Sequence, residues 1–133
     1  MHRATPVPTT ISQALLDELL APQAESRIVS VVASDWFEGA DKHRQAKARL
    51  VEFEPVFHAA VAQATQLLGE PEQDETVDGF EIEKWFPEAL KARVWLKNAK
   101  VLCLSVVQYD ADAPVGVILR TIKATEIKDL ADW

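Results

Sequence analysis

One acidic stretch of the chain matches half of a calcium-binding loop. Residues 74–79 read DETVDG and follow the D-x-T-x-D-G spacing of the first oxygen ligands and turn glycine of an EF-hand. The twelfth position of such a loop supplies a bidentate carboxylate, and here that position is Trp85. The flanking pattern is also not helix–loop–helix. The sequence therefore predicts no calcium site, and we expect neither a metal nor a cofactor.

The nucleophilic and basic side chains do not form a recognisable catalytic set. Cys103, the only cysteine, lies in the apolar run VLCLSVV and is predicted to be a packed thiol. Ser105 lies in the same run and lacks the Gly-x-Ser-x-Gly elbow of a nucleophilic serine. Glu54 and His58 are one helical turn apart, but no HExxH pattern is present, so they are interpreted as exposed helix partners. We predict no catalytic residue and no enzyme.

The segment EPEQDETVDGFEIE, residues 70–83, contains seven acidic side chains and no basic one. One interpretation is a solvated surface loop. The other is an acidic surface that binds a basic partner protein, because complementary charge accelerates and orients docking. Under the second interpretation, the candidate partner-binding carboxylates are Glu70, Glu72, Asp74, Glu75 and Asp78.

Two tryptophans lie beside acidic residues and are candidate anchors for the same partner. Trp36 belongs to the sequence DWFEG, which has two interpretations. It can be a helix start in which Asp35 and Glu38 form a capping box, or an exposed aromatic anchor with an acidic rim. Trp85 follows the acidic segment. Under the binding interpretation, Trp36 and Trp85 complete the candidate site.

Two arginines lie on predicted strands next to apolar neighbours. Arg93 and Arg120 are either paired cations at the sheet or anchors for an anion. Together with Tyr109 and His58, they would form a ligand site only if the fold placed all four in one polar pocket.

The periodicity of apolar residues predicts an α+β fold. We expect a four- to five-stranded, mostly antiparallel sheet, one long helix packed on a face and kinked at Pro55, and short flanking helices. Residues 1–9 are predicted to form a flexible arm, and residues 10–133 a single domain. A two-residue turn at residues 98–99 would place Trp95 opposite Leu102 in a central hairpin.

Composition excludes some classes of partner. The chain has 21 acidic and 14 basic residues, for a net charge of −7, and a hydrophobic content of 48%. This balance argues against binding to nucleic acid or to an anionic membrane surface, both of which require basic residues. The first ten residues, MHRATPVPTT, lack the apolar core of a signal peptide, so we expect a cytoplasmic protein.

The second half of the chain resembles small bacterial immunity proteins, which bind and block a cognate toxin. The resemblance rests on LLGEP at residues 67–71 closing a long helix, on Trp85, on the hairpin containing Trp95, and on the turn at residues 112–114. It implies that an acidic surface occludes a basic active site. Two alternatives stay open: an acidic secretion chaperone or adaptor with an exposed apolar sheet face, and a small ligand-binding domain or enzyme. Oligomeric state is left open.

The acidic-surface hypothesis predicts the effect of a triple charge reversal. Changing Glu72, Asp74 and Glu75 to lysine should weaken binding to a basic partner and leave the fold intact, because only surface charge changes. Binding assays and circular dichroism on the same preparations test this. Unchanged affinity with an unchanged spectrum would leave the acidic segment as a solvated loop.

Overall fold

The computed structural model of the chain describes residues 8–34, 36–71, 73–74, 89–108 and 114–123, with the backbone alone for residues 73, 74 and 89. These residues form two helices and one antiparallel sheet, in the strand order β1-β5-β4-β3-β2. The α+β class and the antiparallel sheet predicted from the sequence are confirmed. The elements are α1 (Gln13–Leu19), β1 (Arg27–Ala33), α2 (Lys42–Leu68), β2 (Gln73–Asp74), β3 (Ala89–Lys97), β4 (Lys100–Gln108) and β5 (Val115–Lys123).

Strands β3 and β4 are joined by a two-residue turn, as predicted. Asn98 and Ala99 both have positive φ, of 52° and 58°, which is the backbone geometry whose twist suits a tight hairpin. The resulting register places Trp95 opposite Leu102. The predicted pairing of this hairpin is therefore confirmed.

Alternation along β4 divides its side chains between two buried faces. Leu102 and Leu104 point towards the helices and are fully buried in one core. Val101 and Cys103 point to the other face of the sheet and are also fully buried. Cys103 is therefore the packed thiol that the sequence predicts. The core on the helix side includes Leu16, Leu19, Phe53, Phe57, Ala60, Ala64, Trp95, Val106, Val117 and Leu119.

Helix α2 continues through Pro55 as a single element of 27 residues, about 40 Å long at 1.5 Å per residue. It ends at Gly69, whose φ of 87° suits glycine. The carbonyl of Gly69 accepts a 2.8 Å hydrogen bond from the indole Nε1 of Trp95, which fixes the end of the helix to the sheet. The bend at Pro55 stays a prediction. Neither helix in the described ranges has the apolar stretch that crossing a membrane would require.

Two local predictions are wrong. The capping-box interpretation of residues 35–38 fails because α2 begins at Lys42, after a reversal at Gly39 with φ of 88°. The local pattern of residues 88–91, which follow Pro87, predicts a helical turn. This prediction also fails, because β3 already begins at Ala89 and pairs with β4. In both places contacts distant in sequence override the local pattern. The strand that the alternation of residues 80–84 predicts lies outside the described residues. A short terminal helix or a tail is predicted for residues 123–133, of which only Lys123 is described, as the last residue of β5.

Lys100 connects the hairpin to the end of α1. Its side chain is only 3% exposed, and its Nζ donates hydrogen bonds to the carbonyls of Leu19 (3.2 Å), Ala21 (2.6 Å) and Ala24 (2.8 Å). The last carbonyls of a helix have no partner within it, and a cation is favourable at that end. The buried ammonium group thus satisfies the carbonyl of Leu19 at the end of the helix, and it shares the carbonyl of Ala21 with the backbone N–H of Ala24.

The positive φ of Ala99 predicts a stabilising substitution. Ala99→Gly should raise the free energy of unfolding by about 0.5–1 kcal/mol, because glycine adopts this backbone region without steric cost. Ala62→Gly, at an exposed position in α2, is the matched control and should lower the same quantity by about 1 kcal/mol. Urea unfolding followed by circular dichroism measures both. Destabilisation by Ala99→Gly would show that the turn carries no strain.

Candidate functional site

A cleft of about 820 Å³ lies between residues 36–38 and one flank of the first half of α2. Trp36 at its rim is 67% exposed, the highest value for a large apolar side chain among the described residues. The opposite wall is a row of α2 side chains. The cleft is lined by Trp36, Phe37, Glu38, Gln45, Ala48, Arg49 and Glu52.

The exposure of Trp36 follows from the packing of its neighbour. Phe37 is buried against Ala46 and Val115, whereas the side chain of Trp36, the preceding residue, is exposed. The amide Nε2 of Gln45 donates to the backbone carbonyl of Glu38 at 3.2 Å, which holds the segment against α2. Trp36 therefore projects away from the core because Phe37 occupies it.

The cleft wall carries charges of both signs. Arg49 Nη1 and Glu52 Oε2 form an ion pair of 2.6 Å, and the side chain of Glu38 is exposed at the rim. The first turn of α2, outside the lining of the cleft, carries the basic side chains of Lys42 and Arg44. Bases are unfavourable at a helix N-terminus, where the helix dipole is positive. This basic segment is visible in the sequence as KHR at residues 42–44, but it was not among the residues predicted to form a site.

The candidate partner-binding residues do not form one patch in the described part of the chain. Glu70 is exposed just after the end of α2, whereas Trp36 precedes its beginning. The helix between them is about 40 Å long, so one partner would have to span its length to contact both. Asp74 is described by its backbone alone, opposite Arg93. Glu72, Glu75, Asp78 and Trp85 lie outside the described residues.

The ligand site that would combine Arg93 and Arg120 is not formed. Arg93 is paired with Leu104 across β3 and β4, whereas Arg120 is paired with Cys103 across β4 and β5. Because Leu104 and Cys103 point to opposite faces of β4, the two arginines also lie on opposite faces. The guanidinium carbon of Arg93 lies 5.5 Å from the centre of the Phe57 ring, a cation–π contact. Tyr109 lies outside the described residues.

Glu54 is the centre of an exposed charged cluster beside Arg93. Its Oε1 lies 3.2 Å from Lys91 Nζ and 3.6 Å from His58 Nε2. The hydrogen bond and charge of Lys91, and then the hydrogen bond of His58, hold the pKa of Glu54 below its ordinary value. The interpretation of Glu54 and His58 as exposed helix partners agrees with these contacts. No group of three or more His, Cys, Asp or Glu side chains suited to a metal ion occurs within the described ranges.

Comparison with protein-family models, with curated proteins and with solved structures found no match to this chain. Its function must therefore be inferred from its own surface. Two features of that surface lie on opposite flanks of α2. One is the cleft beside Trp36, and the other is the region around Glu54.

The contacts of Glu54 predict a pH-dependent effect of Lys91→Met. Removing the largest cause of the lowered pKa should raise the pKa of Glu54 towards its ordinary value, which an NMR titration of the carboxyl carbon measures. A carboxyl group whose pKa is lower in the folded than in the unfolded state stabilises the fold at pH values above its unfolded-state pKa. This contribution is lost as the pH falls through the folded-state pKa. The free energy of unfolding of the wild type should therefore exceed that of Lys91→Met at neutral pH, and this difference should disappear in acid.

Arg44→Met is the control for this experiment. Arg44 is an exposed base on the same helix, ten residues before Glu54, so its removal should change the pKa of Glu54 less. An unchanged pKa in Lys91→Met would mean that the Lys91 contact does not persist in solution.

Proposed function

We propose that the chain is a non-catalytic protein-binding module, an immunity protein that occludes a basic cognate toxin, and that Trp36 is its anchor. The observation that carries the proposal is the indole of Trp36, 67% exposed at the rim of a cleft of about 820 Å³. Tryptophan is among the residues most enriched at the energetic centres of protein interfaces.

The free energy available at Trp36 is large for one side chain. A tryptophan can bury up to about 250 Å², and about two thirds of its side chain is still in contact with water here. At about 25 cal/mol per Å², covering the remainder would contribute roughly 3–4 kcal/mol before the costs of association. A cleft beside the indole also provides room for a side chain of the partner.

Acidic groups near Trp36 support a basic partner. Glu38 is exposed beside the indole, and Glu52 lines the cleft in its ion pair with Arg49. The net charge of −7 over the whole chain would attract such a partner at long range. Lys42 and Arg44 lie near the beginning of α2, so in this proposal the basic surface of the partner approaches from the side of Glu38.

The two alternative functions gain no support from the described residues. A chaperone of the expected kind would present an exposed apolar sheet face, whereas β4 is buried on both faces. Arg93 and Arg120, on which the expected ligand site depended, lie on opposite faces of the sheet. The acidic segment at residues 70–83 stays part of the proposal, because most of it lies outside the described residues.

The proposal predicts that Trp36→Ala weakens partner binding by about 2 kcal/mol or more, which is roughly thirtyfold. The tagged protein would be used to capture its partner from the lysate of its host, with elution at rising salt. The captured protein should be toxic when expressed alone. Wild type should neutralise this toxicity, and Trp36→Ala should fail to do so at equal expression.

Ile28→Ala is the matched control for Trp36→Ala. Ile28 is a large apolar side chain near the start of β1, 54% exposed and not among the residues that line the cleft, so its removal should leave binding unchanged. An equal loss of partner binding in both variants would indicate a general defect of the protein and not the loss of an anchor. Full neutralisation by Trp36→Ala, with circular dichroism equal to wild type, would remove Trp36 as the anchor.

A further inference from the structure

A second groove, of about 260 Å³, lies on the flank of α2 opposite the Trp36 cleft, between α2 and β3. Val51 on α2 is 65% exposed and Leu90 on β3 is 52% exposed. The floor of the groove is formed by Leu50 and Val106, both of which pack in the core clusters of the protein. Two large apolar side chains with an apolar floor between them form a patch suited to contact with another protein.

Charged side chains of opposite sign flank this patch along α2. Lys47 lies one turn before Val51 and Glu54 lies almost one turn after it, on the same flank of the helix. Lys47 has no ion pair with any described residue. Glu54 uses its Oε1 for the contacts with Lys91 and His58, so its Oε2 is not engaged in these contacts.

We propose that this groove is the interface of a homodimer in which α2 of a second copy lies antiparallel to α2 across a two-fold axis at Leu50 and Val51. In this arrangement Lys47 of each copy faces Glu54 of the other. The exposed apolar side chains of the two copies meet near the axis. There Val51 of each copy enters the groove of the other copy and contacts its Leu90.

The pattern of charge is the reason for choosing a second copy as the occupant. A two-fold interface brings the same patch of both copies together, so it must be complementary to itself. Lys47 and Glu54 meet that condition because they lie at nearly equal distances on either side of the axis. The groove is lined by two bases, Lys47 and Lys91, and one acid, Glu54, so a partner surface of a single charge sign would meet an unfavourable group as well as a favourable one.

The proposed dimer is independent of the proposed immunity function. The groove and the Trp36 cleft lie on opposite flanks of α2, so both copies would keep the cleft accessible. The groove presents only two large exposed apolar side chains, Val51 and Leu90, whereas a stable interface uses roughly 20–30 residues from each partner. We therefore expect a weak dimer that forms at high protein concentration.

Sedimentation equilibrium over a wide concentration range tests the proposal. Wild type should show a reversible monomer–dimer equilibrium. Val51→Glu should weaken it at least about tenfold, because a charge would be buried at the apolar centre of the interface. Ile28→Glu, which places the same charge at an exposed apolar position on β1, should leave the equilibrium unchanged.

Mixing two charge-reversal variants provides the decisive measurement. Lys47→Glu alone and Glu54→Lys alone should each weaken the dimer, because each places like charges together twice across the axis. An equimolar mixture should recover it as a heterodimer. In that mixture the introduced glutamate of one variant faces the introduced lysine of the other, and the second contact is the native pair.

Three results would overturn the proposal. The first is a wild type that stays monomeric up to about 1 mM, a concentration at which even weak complexes form. The second is a dimer unaffected by Val51→Glu. The third is a mixture that associates no better than the two separate variants, provided circular dichroism shows that both are folded. Trp36→Ala should leave the dimer unchanged, which separates this test from that of the immunity function.

Discussion

The pairing register of β3 and β4 is the constraint on which the rest of the structure depends. A slip of one residue would turn every side chain of a strand to the other face of the sheet. The turn at Asn98 and Ala99 fixes this register. It directs Trp95 towards the helices, where the indole can reach the carbonyl of Gly69, and it brings Lys100 to the end of α1. Both helices are thus attached through side chains that the hairpin positions.

Sequence reasoning predicted the hairpin and the long helix because both have strong local signals. The apolar spacing of α2 continues across Pro55, and VLCLSVV is too apolar for an edge strand. The role of Lys100 could not be predicted, since its acceptors lie about eighty residues earlier in the chain. The interpretation of residues 35–38 as a helix start failed for a similar reason: Phe37 packs against Val115, a contact that no local pattern encodes.

The candidate sites also depend on contacts that local sequence patterns do not encode. Tryptophan beside acidic residues suggested an anchor, and Trp36 is indeed exposed, but its exposure depends on where Phe37 packs. The faces of Arg93 and Arg120 depend on the register of three strands, and the sequence predicted this register for only one of the two hairpins. The groove around Val51 was missed because Val51 lies outside the three-and-four spacing of apolar residues along α2 and was assigned no role. The sequence does not show that Leu90 and Val51 lie at the edge of the helix–sheet contact.

The burial of Lys100 also provides a way to measure local opening of the protein. Its amine is enclosed by three carbonyls and nearly inaccessible to solvent, so an acylating reagent can reach it only after the end of α1 has separated from the hairpin. Exposed lysines such as Lys47 would react without any such event. The ratio of the two labelling rates would therefore report how often α1 detaches while the sheet remains folded. The average structure does not show this motion.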